Sequence, residues 1–458
     1  MAALLQYPDA PSSLVSDWVK LRLGLPAPAR TPAPGYNPKE GRFMANVPQK
    51  LLDLVGRSRK QLWVGCNPPF DFDSLGLYAC SNFRATAELH QQYDVVWCYE
   101  EPLSRLGPDQ HLLALDELVR FVGAKGTLVL RFHMGQCGVA VKNFLGRRPG
   151  LTARITHEEE DAAELLICVV EIERSDIELY RPAPWTIGVL TQNTRKASVV
   201  ALLKSVRDQD PAGEHEVIIC GPEDPEYAFA QPRYLPQNYS AQLPEICRKK
   251  NDIAKAATRP NLLIVHDRYR LDDHFFEGFA RYGYDFDFLT VPQHFESGEE
   301  YPSICHLSEE SLRITAPHAA TNLNNLRLTP FINGGLMVVK SHLLRKLPLN
   351  ELCFWNQAED IELTVTMMRH CVAPRVNPYS SATTINVDKT IMWAFLQGQG
   401  FPATGADAVP LAVAPRPAAV AAPARRRPLV RAALLGLLGL GAFAAAAWQV
   451  ALRCGDAR

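Results

Sequence analysis

Two separated groups of acidic residues and one pair of adjacent glycines are the parts of this 458-residue chain whose types and spacing can do chemistry. His266 and Asp267 follow a strand signal at residues 261–265, apolar from Leu262 to Val265. A carboxylate exposed at the end of such a strand can hold a divalent metal, Mg2+ or Mn2+, against a diphosphate. Glu359 and Asp360 open a segment with apolar residues at Ile361, Val365 and Met368, which places the acidic pair at a helix amino terminus. A carboxylate there can take the proton of an attacking hydroxyl. Asn333, Gly334 and Gly335 form a turn whose bare backbone lets a ligand approach closely. Blander roles stand beside these. Asp267 suits the cap of a helix beginning near Leu271, Glu359 and Asp360 suit a helix dipole, Lys250 suits a solvated helix face, and His266 suits a satisfied core histidine.

The elements that must position these groups read as an α/β alternation. Residues 185–191 form an apolar run, and Val199, Val200, Leu202, Leu203 and Val206 then recur at helical spacing. Residues 216–220 make a second strand that stops at Gly221, Pro222, Glu223 and Asp224, which puts two carboxylates at the carboxyl end of a sheet strand, where open α/β sheets bind ligands. A helix led by Arg248, Lys249, Lys250 and Asn251 runs to about Ala257, and the 261–265 strand follows.

This ordered set, over residues 185 to roughly 390, resembles a family 2 glycosyltransferase of the GT-A fold. The resemblance implies that Thr191, Asn193, Glu223 and Asp224 hold the nucleoside of a nucleotide-sugar donor, with Lys250, Asn251 and His266 beside the diphosphate. It places the family's Asp-x-Asp metal motif on Val265, His266 and Asp267, where only the second carboxylate is matched. It makes Asp360, with Glu359, the catalytic pair, has Asn333, Gly334 and Gly335 meet the acceptor, and implies single displacement with inversion.

The amino-terminal third carries a second α/β pattern: strands at 61–66, 93–98 and 126–132, a helix from His111 to Phe121, a polar loop, and a closing strand at 163–170. It resembles a class I methyltransferase domain, shortened and degenerate. The loop after the first strand reads Cys66, Asn67, Pro68, Pro69, and two prolines remove donors and fix φ where a cofactor loop needs glycine. The 26 residues between Cys66 and Tyr93 leave little room for the usual intervening elements.

With 48 basic against 49 acidic residues and a net charge of −1, nothing proposes nucleic acid as a partner. Eleven cysteines lie singly, several inside apolar strands, as reduced core residues of a cytosolic protein do. The expected division is an extension at 1–45, the methyltransferase-like domain at 46–180, the GT-A domain at 181–400, an Ala/Pro-rich linker at 401–428 and a single transmembrane helix at 429–452. Its apolar run, residues 432–452, spans a hydrocarbon core of about 30 Å at about 1.5 Å per residue. Arg425, Arg426, Arg427 and Arg431 on its amino side keep the large portion in the cytoplasm. The acceptor expected for such a membrane-tethered enzyme is an envelope glycan, a lipid-linked glycan or a protein. Two other classes remain open: a non-catalytic GT-A scaffold in a glycan assembly complex, and a methyltransferase with an accessory sugar-binding domain.

Overall fold

The apolar runs of the amino-terminal third become the centre of a six-stranded sheet. The computed structural model describes residues 47–56, 59–108, 110–240, 242–307, 314–315, 330–355, 357–387 and 389. The strands are β1 Gln61–Val64, β2 Asp73–Leu75, β3 Tyr93–Cys98, β4 Val122–Phe132, β5 Leu151–Glu160 and β6 Leu166–Arg174, in the order β2-β1-β3-β4-β6-β5. The first four are parallel, and β6 runs antiparallel between β4 and β5. Side chains alternate across the sheet, as a period of two requires. Leu62, Val64, Val96, Cys98, Leu128 and Leu130 pack with the His111–Phe121 helix, while Trp63, Val95, Trp97 and Val129 pack with the Gln49–Val55 helix.

The expected polar loop between the third and last strands is instead the Val139–Arg147 helix followed by β5. β5 is an edge strand whose residues are exposed or only half-buried, and its backbone is satisfied by a ladder to β6. Long-range pairing makes that strand, so a local reading of its charged residues missed it. Between Cys66 and Tyr93 there is only the three-residue β2 and three single-turn 3-10 segments, as the short spacing requires.

The second half supplies β7 Trp185–Leu190, β8 Glu216–Cys220, β9 Arg233–Tyr234, β10 Asn261–His266, β11 Tyr269–Leu271, β12 Phe288–Thr290, β13 Gln293–His294, β14 Glu300–Tyr301, β15 Ile304–Leu307, β16 Ile314–Thr315, β17 Pro330–Ile332, β18 Leu336–Lys340, β19 Pro374–Val376 and β20 Ala382–Thr384. Seven of them form one sheet, β19-β12-β18-β10-β7-β8-β9. β10, β7, β8 and β9 are parallel, and β18 enters antiparallel beside β10. The Lys196–Gln209 and Ile246–Ala256 helices are crossovers between parallel strands. Gly188 in β7 lets the second of them approach: a Cβ there would lie 2.3 Å from Cγ2 of Ile253.

The two sheets are joined by a buried charge network. Arg120 meets Asp116, Asp285 and Asp287; Arg148 meets Asp116 and Asp287; Arg174 meets Asp285; and Arg375 meets Asp116. Burial alone favours neutral carboxyls, yet the guanidiniums hold Asp116, Asp285 and Asp287 below the usual carboxylate range. The expected membrane helix lies outside the described residues, and no helix among the described residues is long and apolar enough to cross a membrane.

Candidate functional site

Register brings the chemically active residues to one sheet edge. Leu190 is opposite both His266 and Cys220, so the loops leaving β7, β8 and β10 emerge side by side. Because β18 is antiparallel to β10, with Leu336 opposite Val265, the turn that precedes β18 lies at the same edge. From β7 the chain crosses to β8 on one side, and β10 lies on the other. The crevice between β7 and β10 is therefore a topological switch point, where open sheets of this kind bind ligands.

Thr191 and Asp267 close the floor of that crevice. The Thr191 hydroxyl donates to Oδ2 of Asp267 at 2.8 Å and accepts the Asn193 amide at 2.9 Å. Asn193 sits at φ 64° and donates its Nδ2 to Oδ2 of Asp224 at 2.8 Å, while its Oδ1 accepts the Tyr227 hydroxyl. Asp224 also accepts the Glu226 amide at 3.0 Å and lies 2.5 Å from Nζ of Lys196. The Lys196 and Asn193 hydrogen bonds lower its carboxyl to about 2. Glu223 is exposed. The loops after β7 and β8 are thus a prebuilt polar wall, to which Tyr227 and Lys196 contribute. Neither is marked in the sequence, because each acts through a partner about thirty residues away.

The opposite wall is the diglycine turn with the Glu359–Arg369 helix. Oδ2 of Asp360 accepts the Gly334 amide at 3.1 Å, and Oδ1 accepts the Ile361 amide at 2.9 Å. Lys250 is fully buried and donates to the Gly334 carbonyl at 2.9 Å, so it is no solvated face. A Cβ on Gly334 would come within 3.0 Å of that ammonium and 3.1 Å of Cβ of Asp360. Burial raises both Glu359 and Asp360, which makes them stronger bases than surface carboxylates. Asn333 shapes the turn: its Nδ2 donates to the Pro302 carbonyl and its Oδ1 accepts the Gly335 amide, both at 2.9 Å. Asn251 does not face the crevice chemistry. Its amide oxygen accepts the Leu349 amide, and its Nδ2 donates to the Leu349 carbonyl and to Oε1 of Glu351.

The helix-cap role for Asp267 is not realised, since β11 follows it and the next helix, Phe275–Tyr282, is preceded by His274 at φ 64°. Burial raises the Asp267 carboxyl, against the pull of Arg195 and Arg268. His266 is held well below its usual value by burial, with Lys250 and Arg268 adding to the shift, and its Nε2 is buried without a partner among the described residues. Among the described residues no three His, Cys, Asp or Glu side chains gather to hold a metal ion. A single carboxylate with cationic neighbours does not fit a resident divalent cation.

The fold and site together define a mixed α/β protein with a polar crevice at the carboxyl edge of its second sheet. No family model matches the chain, and no curated protein matches it. Among solved structures, the chain is similar to GalNAc-T7 with UDP, GalNAc and Mn2+ (TM-score 0.36, 10% identity, 45% of this chain and 44% of that one). It is also similar to S. aureus TarS 1-349 in complex with UDP-GlcNAc (TM-score 0.31, 16% identity, 45% and 60%) and to TarS 1-349 alone (TM-score 0.30, 14% identity, 46% and 69%). The similarity spans less than half of the GalNAc-T7 chain.

Proposed function

We propose that this chain is a glycosyltransferase that moves a sugar from a nucleotide-sugar donor to a hydroxyl acceptor. The observation that carries the reading is the placement of a buried, basic carboxylate, Asp360, on the diglycine side of a switch-point crevice whose other side is the Thr191, Asn193 and Asp224 wall. The nucleoside lies along that wall, and the acceptor enters over Gly334. The acceptor oxygen attacks the anomeric carbon, the bond to the diphosphate oxygen breaks, and the hydroxyl proton passes to Asp360. The products are an inverted glycoside and a nucleoside diphosphate.

The unit at 46–180 acts in this reading as a platform. No comparison supports methyltransferase chemistry for it, and its loop after β1 is filled from within. Glu100 accepts Nε1 of Trp63 at 2.7 Å, the Asn67 amide at 3.0 Å and Nδ2 of Asn67 at 2.7 Å. Residues 429–452 tether the enzyme to a membrane, cytosolic side, which makes a lipid-linked or envelope glycan the favoured acceptor. A chain ending at Gly400 then partitions to the soluble fraction, and unchanged membrane fractionation removes the tether. The activity is tested by incubating the full chain in mild detergent with a panel of nucleotide sugars and measuring release of nucleoside diphosphate. Release from one donor, lost in D360N, supports the reading. Donor binding without release leaves a non-catalytic scaffold, and no binding removes the donor role.

A further inference from the structure

Among the described residues Arg268 is a cation with no salt bridge, feeling the Tyr269 hydroxyl and the nearby Asp267 carboxylate. It is largely buried, yet among the described residues no carboxylate forms an ion pair with it, and its Nε is buried with no hydrogen-bond partner. Among the described residues the buried arginines, Arg120, Arg148, Arg174 and Arg375, are all held by aspartates. Arg268 lies instead against the crevice. A Cβ on Gly335 would come within 2.8 Å of one of its terminal nitrogens, and its guanidinium stacks on the Tyr269 ring, 5.7 Å from the centroid. Two residues earlier, Nε2 of His266 is also buried and unpartnered. Burying a guanidinium unpaired is costly, and leaving a buried donor unmet costs a further share of that energy. Both costs fall at the one edge where the acidic metal-ligand set is incomplete.

We infer that Arg268, rather than a resident divalent cation, neutralises the diphosphate of the bound donor. This rests on the nucleotide-sugar reading above and specifies how that site carries charge. A guanidinium offers a planar fork of donors matched to phosphate oxygens, and it stays charged as the diphosphate leaves. Gly335 has no side chain to block the fork. Asp267, engaged by Thr191, orients the floor and does not have to ligate a metal.

The test is titration calorimetry of the full chain in mild detergent with UDP, GDP, CDP and ADP and with the matching nucleosides, each with EDTA or with Mn2+. The expected result is that one diphosphate binds equally well in EDTA and in Mn2+. Arg268→Gln then lowers the preference for that diphosphate over its nucleoside by roughly ten- to a hundredfold, as loss of charge-assisted hydrogen bonds does. Arg268→Lys retains part of the preference, and thermal melts establish that both variants are folded. A role in packing alone would weaken nucleoside and diphosphate binding together. Binding that requires Mn2+, or an unchanged diphosphate preference in a folded Arg268→Gln chain, overturns the inference and leaves the nucleotide-sugar reading standing. Absence of binding by every diphosphate under both conditions overturns the nucleotide-sugar reading itself.

Discussion

The molecule holds two sheet edges built on one plan, and they differ in how far their polar groups are already satisfied: at the first, among the described residues, Oε2 of Glu101 is the buried atom left over, while the loop itself is filled. At the edge of the first sheet, Gly65 has φ 140°, and any Cβ there would lie 2.2 Å from Oε2 of Glu100. The Glu100 carboxylate fills the loop, meeting the Trp63 indole and Asn67. At the edge of the second sheet, His266 and Arg268 keep buried nitrogens without partners among the described residues, and Glu359 and Asp360 are held as raised carboxyls beside Lys250. Natural interiors rarely leave such groups unmet. The difference teaches that parallel strands pointing at a crevice do not make a site. What marks one is polar capacity left for a ligand.

The sharpest way to break the comparison is to remove the base from the second edge. Asp360→Asn keeps size and loses basicity, and the rate of transfer should fall by about 10²- to 10⁴-fold with little change in thermal midpoint. Near-normal turnover would return Asp360 to the role of a helix-terminal carboxylate. In the unsubstituted chain the rate should be lost as pH falls through the raised Asp360 carboxyl, at a higher pH than an ordinary aspartate would give. A pH–rate profile without that acid limb would count against Asp360 as the base.

The contact between the two halves comes next in size. Arg120→Met leaves Asp116, Asp285 and Asp287 short of a cation, and breaking a buried pair of this kind costs about 3–5 kcal/mol. Urea unfolding reads it. A loss below about 1 kcal/mol, the range of exposed pairs, would mean that the halves do not depend on the network.

A smaller effect is expected at the first edge. Glu100→Ala strands the buried Trp63 indole donor, at a cost of about 1–3 kcal/mol, again by urea unfolding. Although burial opposes ionisation, the Trp63 and Asn67 hydrogen bonds depress the Glu100 carboxyl in the fold. Its stabilisation should therefore be present above the ordinary glutamate value of about 4.3 and fade as pH falls through the depressed one. A difference between Glu100→Ala and the unsubstituted chain that is the same at neutral and at strongly acid pH would contradict this.

The sequence made the second sheet largely legible, and the reason is local. The runs now seen as β7, β8, β10 and β18 are short, apolar and bounded by turn residues, and the Val199, Leu202, Leu203 and Val206 stripe is the buried face of its helix. The β5 strand escaped because its residues only become a strand against β6. The charge network escaped for a related reason: Arg120 and Asp285 stand 165 positions apart, and no local pattern joins them. Asn251 read as a ligand group because it follows Lys250, yet neighbours on a helix point in different directions, and its amide turns to the 349–351 loop. Arg268 drew no assignment because the sequence does not show which cations find a partner.

The central claim is that the second edge takes a nucleotide while the first is closed, and one pair of titrations on the full chain tests it. Calorimetry should give saturable heat with one nucleoside diphosphate, abolished or greatly weakened in Asp224→Ala, and no saturable heat with S-adenosylmethionine. Saturable S-adenosylmethionine binding that disappears when the 64–69 loop is altered, with no nucleoside diphosphate bound, would contradict the account.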